Sequence, residues 1–157
     1  MTRRAAAIAI AAVGAAALAL PLRAADFRST AEAPTVLYDA PSAKARPQFV
    51  FGRDVPLEVL VAVEGWTKVR DVSGTIGWIA NKSLADRRVL QVRVAAADVR
   101  ATPDDAAPVA FRAGENVLLE LAEQASSPGT TATPGWVKVK HRDGAVGFVR
   151  VSQIFGL

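Results

Sequence analysis

The chain has 157 residues, a formal net charge of +4 and no cysteine. The absence of cysteine excludes thiol catalysis and thiolate metal sites. Three arginines lie before residue 25, and the remainder carries 16 basic against 15 acidic residues. That near-neutral remainder is a poor candidate for nucleic-acid binding, which needs many charges that neutralise phosphates.

The N-terminus differs in composition from the rest of the chain. Arg3 and Arg4 precede an alanine-rich apolar run, Ala5–Leu20. This pattern predicts a secretory signal peptide over residues 1–25, because a membrane-spanning helix needs about 20 apolar residues. Cleavage is expected near the end of that segment; a cut after Ala19 and an uncleaved anchor are the alternatives. We therefore expect a periplasmic or secreted protein with no stable membrane span after cleavage.

The main feature of the remaining sequence is a phrase that occurs twice, at residues 65–79 and 135–149. The conserved spacing predicts a duplicated structural unit. The identical positions are Gly65, Trp66, Lys68, Val69, Gly74 and Gly77, which recur as Gly135, Trp136, Lys138, Val139, Gly144 and Gly147.

Each copy of the phrase predicts a β-hairpin, because two alternating segments flank a turn-forming sequence. In the first copy the turn is assigned to Asp71–Gly74. A turn of even length places Trp78, and by analogy Phe148, on the same face as Val69. These two aromatic residues are therefore predicted to be core. The opposite face then carries Trp66, Lys68 and Arg70.

The segments upstream of the two hairpins also match. Residues 36–60 and 98–121 each contain a short strand, a proline-containing loop and a longer apolar strand. Five short strands per unit favour a small barrel, because closure removes exposed sheet edges. Glycine within the last strand, at Gly77 and Gly147, indicates a bend, a bulge or a close backbone approach.

The order V-R-x-x-P, then G-x-x-V, then G-W-x-K-V followed by G-x-x-G-W-V resembles the bacterial SH3 (SH3b) family. The resemblance extends from about residue 34 to the C-terminus as two tandem copies. It implies an all-β chain of two tandem small SH3-like β-barrels, at residues 30–88 and 89–157. A low-complexity stretch at residues 125–134 has no equivalent in the first copy and is predicted to be an insertion in a surface loop.

Trp66 and Trp136 are the strongest candidates for ligand binding, because an exposed indole beside cations suits a peptide, a sugar ring or a carboxylate. Packing against a loop or the neighbouring barrel is the alternative. Tyr38 and Arg100 occupy equivalent places before the proline loops, where either could line a groove. The full set of candidate binding residues is Trp66, Lys68, Arg70, Trp136, Lys138, Tyr38 and Arg100.

The sequence gives no sign of an active site. His141, the single histidine, falls in a predicted turn without a nucleophile motif nearby, and no metal-ligand cluster is evident. We therefore expect no cofactor and no catalysis. The favoured interpretation is an exported adaptor that recognises an envelope protein or a peptidoglycan stem peptide. A purely structural, self-associating barrel pair and an accessory of a cell-wall hydrolase are the alternatives.

Overall fold

The computed structural model describes residues 25–122 and 133–157. Residues 1–24, where the export signal is predicted, and residues 123–132, which contain most of the predicted insertion, lie outside the described residues. The described chain forms two seven-stranded antiparallel sheets. This confirms the prediction of an all-β protein with two tandem small barrels.

The first sheet, called the first barrel below, has the strand order β3-β2-β6-β5-β4-β1-β7. A short 3-10 turn, Asn81–Ser83, separates β6 from β7. Its strands are β1 (Asp26–Thr30), β2 (Thr35–Tyr38), β3 (Pro47–Phe51), β4 (Pro56–Val63), β5 (Trp66–Arg70), β6 (Ile76–Ala80) and β7 (Leu84–Ala85).

The second sheet, called the second barrel, has the order β10-β9-β13-β12-β11-β8-β14, which repeats the first order strand for strand. Two strands per barrel were not expected: β1 and β7, with their counterparts β8 and β14. The strands are β8 (Val89–Val92), β9 (Ala96–Arg100), β10 (Val109–Gly114), β11 (Leu118–Leu121), β12 (Trp136–Lys140), β13 (Val146–Arg150) and β14 (Ile154–Phe155).

Each barrel encloses its own apolar core, and the two cores are built at corresponding positions. The core of the first barrel consists of five buried residues: Leu37, Phe51, Leu57, Val69 and Ile79. The counterparts in the larger second core are Val99, Ala113, Leu119, Val139 and Val149. The repeat seen in the sequence is therefore also a repeat of packing.

The structure corrects the predicted face of β6, the second strand of the hairpin, whereas Val69 on β5 is buried as predicted. Val69 pairs with Gly77, and Arg70 pairs with Ile76, so the loop between the strands has five residues rather than four. A loop of odd length reverses the predicted parity of β6, because successive side chains alternate between faces. Ile79 is consequently in the core, whereas Trp78 is half-buried on the outward face.

The same correction applies to the second barrel, where Lys138 pairs with Phe148 and Val139 pairs with Gly147. Phe148 is half-buried on the outward face, and Val149 is the buried residue. The extra loop residue was missed because Thr75 and Ala145 look like strand residues.

Side-chain hydrogen bonds explain why the fifth residue belongs to the loop. Asp71 Oδ1 accepts hydrogen bonds from the backbone N–H groups of Ser73 at 2.9 Å and Thr75 at 2.8 Å. The Asp71 N–H donates to the Thr75 carbonyl at 3.0 Å and so closes the loop. Gly74 adopts a φ of 90°, which favours glycine. A carboxylate therefore organises this loop from within.

Gly77 marks a close backbone approach between β6 and β2. A Cβ atom at this position would lie 2.6 Å from Leu37 Cγ and 2.8 Å from the Tyr38 carbonyl oxygen. Gly147 has the same role, because its Cβ would lie 2.7 Å from the Arg100 carbonyl oxygen. The two in-strand glycines let the strand that carries Tyr38, or Arg100, cross close to the hairpin.

The two barrels contact each other through both ends of the described chain. The rings of Phe27 and Phe155 meet edge to face, with centroids 5.2 Å apart. Arg87, between the barrels, forms an ion pair of 2.5 Å with Asp54, and its carbonyl oxygen accepts a hydrogen bond from Ser29 Oγ at 2.6 Å. These contacts tie the segment between the barrels to the first barrel.

Candidate functional site

The tryptophan at the start of the hairpin lies on the outward face in both barrels. In the first barrel Trp66 pairs across the sheet with Ala80 and is half-buried. In the second barrel Trp136 pairs with Arg150 and is also half-buried. The two tryptophans thus have the same backbone setting but different cross-strand neighbours.

In the first barrel, Trp66 and Tyr38 form an aromatic pair beside a surface groove. Their ring centroids are 5.6 Å apart and the rings are nearly perpendicular, at 88°. An edge-to-face pair of this kind fixes the orientation of both rings. The groove has a volume of about 530 Å³. It is lined by Pro34, Val36, Tyr38, Ala43, Gly65, Trp66, Ala80, Asn81, Lys82 and Ser83.

Three elements position this groove. The end of β2 brings Tyr38 opposite Trp78, and the start of β5 brings Trp66 opposite Ala80. The 3-10 turn after β6 is held by a hydrogen bond from Thr67 Oγ1 to Asn81 Oδ1 at 2.7 Å. Because Thr67 is buried, this bond anchors the turn to the strand that carries Trp66.

The first groove is lined mainly by apolar side chains and by one cationic side chain. Aromatic, proline, valine and alanine side chains supply most of the wall, and Lys82 supplies an exposed ammonium group. Such a groove suits a peptide segment with small apolar side chains and a carboxylate.

The corresponding groove of the second barrel is smaller, at about 180 Å³. The guanidinium carbon of Arg150 lies 4.3 Å from the ring centroid of Trp136. Arg150 is also ion-paired with the carboxylate of Asp105. The lining residues are Ala96, Asp98, Arg100, Asp105, Trp136, Arg150 and Gln153.

Of the seven residues predicted to bind ligand, the structure brings Tyr38 and Trp66 together in one groove. Arg100 and Trp136 line the equivalent groove of the second barrel. Arg100 Nη1 donates to the Ala107 carbonyl oxygen at 2.7 Å, so it buttresses the proline loop.

The other three predicted residues do not line either groove. Lys68 Nζ lies 5.9 Å from the ring centroid of Trp78, and Lys138 Nζ lies 6.0 Å from that of Phe148. Arg70 makes a bidentate pair with Glu58 through Nε and Nη2. These cations contact neighbouring side chains farther along the outward faces.

Sequence reasoning missed the residues that make the two grooves different. Ala43 and Ala80 leave the first groove open, whereas Asp105 and Arg150 occupy the corresponding places in the second. Aligning the two copies beyond the hairpin would have revealed both exchanges, because each replaces alanine by a charged residue.

His141 lies in the loop before β13, as predicted, with its ring 5.9 Å from that of Phe111. Asp143 lies in the same loop, and the backbone N–H of Ala145 donates to its carboxylate at 2.9 Å. That bond, followed by the hydrogen bond with His141, lowers the pKa of Asp143 below its ordinary value. Within residues 25–122 and 133–157, no group of three or more His, Cys, Asp or Glu is arranged to hold a metal ion.

Comparison with protein families identifies the first barrel. Residues 31–86 match the family described as Bacterial SH3 domain. This segment is a bacterial SH3 domain. The bacterial SH3 domain is a non-catalytic binding module, and such domains occur in cell-envelope proteins. No helix among the residues that the structure describes is long and apolar enough to cross a membrane.

No curated protein matches the chain that carries this bacterial SH3 domain, but several solved structures are similar to it, among them two from one organism. NlpC1 from Trichomonas vaginalis is 14% identical, with a TM-score of 0.38; the match covers 87% of this chain and 47% of that one. NlpC2 from the same organism is 14% identical, with a TM-score of 0.35; the match covers 84% and 48%. The chain thus spans about half the length of these two proteins.

Proposed function

We propose that this protein is an exported, non-catalytic binding module of the cell envelope, and that the groove lined by Tyr38 and Trp66 is its ligand site. The observation that carries the proposal is the open aromatic groove on a bacterial SH3 domain. In this proposal the buried core residues stabilise each barrel, and the outward-facing aromatic pair binds the ligand.

The groove favours a peptide over a sugar polymer or nucleic acid. Pro34, Val36 and the aromatic pair offer apolar walls for small side chains, and Lys82 offers a charge for a carboxylate. A peptidoglycan stem peptide combines small side chains with free carboxylates, so it is the preferred ligand. A segment of another envelope protein is the alternative source of the same chemistry.

The predicted export signal at residues 1–25 supports a location outside the cytoplasm, where peptidoglycan is accessible. Together with the occurrence of bacterial SH3 domains in envelope proteins, this supports a periplasmic or secreted adaptor. The proposal assigns no reaction to the protein. Accessory action beside a cell-wall hydrolase is compatible with the same binding site.

Purified sacculi provide the direct test. The mature protein is sedimented with sacculi, and the bound fraction is compared between wild type, Trp66→Ala and Trp136→Ala. Losing one aromatic hot spot typically costs about 2 kcal/mol of binding, or roughly thirtyfold in affinity. We expect that loss for Trp66→Ala and little change for the matched control Trp136→Ala.

Melting temperatures of the three proteins separate binding from folding. An unchanged affinity of Trp66→Ala with a large loss of stability would contradict the proposal and assign the ring to packing. Stem peptides released from the same sacculi, added as competitors, distinguish recognition of the peptide from recognition of the glycan. Failure of the wild type to sediment, with specific capture of one envelope protein from periplasm, would favour the protein partner.

Self-association is a second candidate, favoured by one observation. Phe49 and Val50 on the edge strand β3 are both more than half exposed, at 53% and 54%. An exposed apolar edge strand is a template for pairing with another chain. Sedimentation velocity of wild type and Val50→Lys decides this candidate: a concentration-dependent dimer in the wild type, lost in the variant, would support it.

A further inference from the structure

The two grooves lie at equivalent positions in the two barrels but differ in the side chains that line them. Trp136 corresponds to Trp66, and the strands around the two residues have the same order and the same hairpin register. Every residue that lines the second groove has a counterpart in the first. The pairs, second groove first, are Ala96 and Pro34, Asp98 and Val36, Arg100 and Tyr38, Asp105 and Ala43, Trp136 and Trp66, Arg150 and Ala80, and Gln153 and Ser83.

The second groove is partly filled by a side chain of its own barrel. Arg150 extends from β13 across the sheet to the face of Trp136, where its guanidinium carbon lies 4.3 Å from the ring centroid. Its Nε atom also donates to Asp105 Oδ1 at 3.2 Å. The stacked and paired guanidinium occupies the place that is empty beside Trp66, which explains why the second groove has about 180 Å³ and the first about 530 Å³.

The remaining charges of the second groove also have partners inside the barrel. Arg100 donates to the Ala107 carbonyl oxygen and lies 3.7 Å from Asp98. Asp98 in turn accepts a hydrogen bond from Arg112 Nε at 2.8 Å. Polar groups that already have hydrogen-bond partners within the barrel contribute little binding free energy, because a ligand must first break these bonds.

We propose that Arg150, held by Asp105, is a built-in ligand of the second barrel, so that the protein has one open groove and one closed groove. Positions 43 and 80 in the first barrel, and their counterparts 105 and 150 in the second, determine which groove is open. The second barrel then serves as a structural partner of the first. The part of this inference that concerns ligand stoichiometry rests on the proposed function; the closure of the second groove does not.

Closure is tested without any ligand by acrylamide quenching of Trp136. The background is Trp66→Phe with Trp78→Phe, in which Trp136 is the remaining tryptophan. Arg150→Ala is expected to raise the quenching constant, because it uncovers the indole face, while the matched control Arg142→Ala leaves it unchanged. Circular dichroism verifies that each variant is folded. Equal quenching with and without Arg150 would overturn the proposal.

Stoichiometry is tested by titrating the full chain with stem peptides released from sacculi. We expect one site in the wild type and an additional, weaker site in Asp105→Ala with Arg150→Ala, because Arg100 and Asp98 keep their internal partners. The reverse exchange, Ala43→Asp with Ala80→Arg, is expected to close the first groove and weaken binding at least about tenfold. Ala62→Arg, an exposed position outside the groove, controls for added charge.

The outcomes separate this proposal from the proposed function. Two equivalent sites in the wild type, or unchanged affinity after the reverse exchange, would contradict the closed groove. If the wild type binds no stem peptide, the proposed ligand is wrong, and the quenching experiment still decides whether Arg150 covers Trp136.

Discussion

Gly77→Ala should destabilise the first barrel far more than a surface substitution does. The added Cβ atom would meet three heavy atoms at less than 3.0 Å: Leu37 Cγ at 2.6 Å, the Tyr38 carbonyl oxygen at 2.8 Å and Gln48 Oε1 at 2.9 Å. Carbon atoms in good contact lie about 3.5–4.0 Å apart. The methyl group therefore requires a local displacement of roughly 1 Å.

The neighbours cannot all move aside at low cost. Leu37 is fully buried in the core, and the Tyr38 carbonyl belongs to the backbone of β2. Gln48 is an exposed side chain that can turn away. Overpacking of a well-packed site typically costs 1–3 kcal/mol, and a clash with backbone belongs at the upper end, so we expect about 3 kcal/mol. The displaced residue would be Tyr38, so ligand affinity should fall as well.

Urea unfolding, followed by tryptophan fluorescence and far-ultraviolet circular dichroism, measures the effect. Gly52→Ala is the matched control, because a Cβ atom at Gly52 would have no heavy atom within 4 Å. The midpoint should shift for Gly77→Ala with little change in slope. A difference between the two variants of less than about 0.5 kcal/mol would refute the close-approach argument.

Three further outcomes follow from the structure. Ile79→Ala should cost about 3 kcal/mol of unfolding free energy, because its side chain is fully buried. Trp78→Ala should cost only about 1 kcal/mol. A larger loss for Trp78→Ala than for Ile79→Ala in urea melts would place Trp78, rather than Ile79, in the core. The carboxyl of Asp143 should titrate by NMR below the pKa of an unstructured aspartate, mainly through the Ala145 amide and then through His141. Because the pKa of Asp143 is lower in the folded state than in the unfolded state, its ionised carboxylate stabilises the fold. This contribution is present above the unfolded pKa and is lost as the pH falls through the folded pKa. A measured pKa at or above that of an unstructured aspartate would contradict the argument. His141→Ala should reduce the depression without removing it, since the Ala145 N–H remains.

The fold was predictable because three sequence features indicate the same small barrel. They are the repeated hairpin motif, the alternation of apolar and polar residues along the strands, and the glycines within the strands. The face of β6 was not predictable, since its parity depends on a single loop residue, Thr75, which resembles a strand residue although its N–H donates to the Asp71 carboxylate. Trp66 and Tyr38 were identified as candidates from their place in the repeat. Their mutual packing and the open space beside them depend on Ala80, an unremarkable residue whose importance appears only beside Arg150.

The contact between Phe27 and Phe155 has a consequence for the order of folding. The two rings belong to the first strand of the first barrel and the last strand of the second, so nearly the whole described chain separates them. A chain that emerges from its N-terminus can complete the first barrel while this aromatic surface still lacks its cover. Gly156, whose missing side chain leaves room beside Pro56 of the first barrel, likewise follows the other strands of both barrels in the chain. The face around Phe27 therefore remains uncovered until the strand that carries Phe155 has been synthesised and has packed against it.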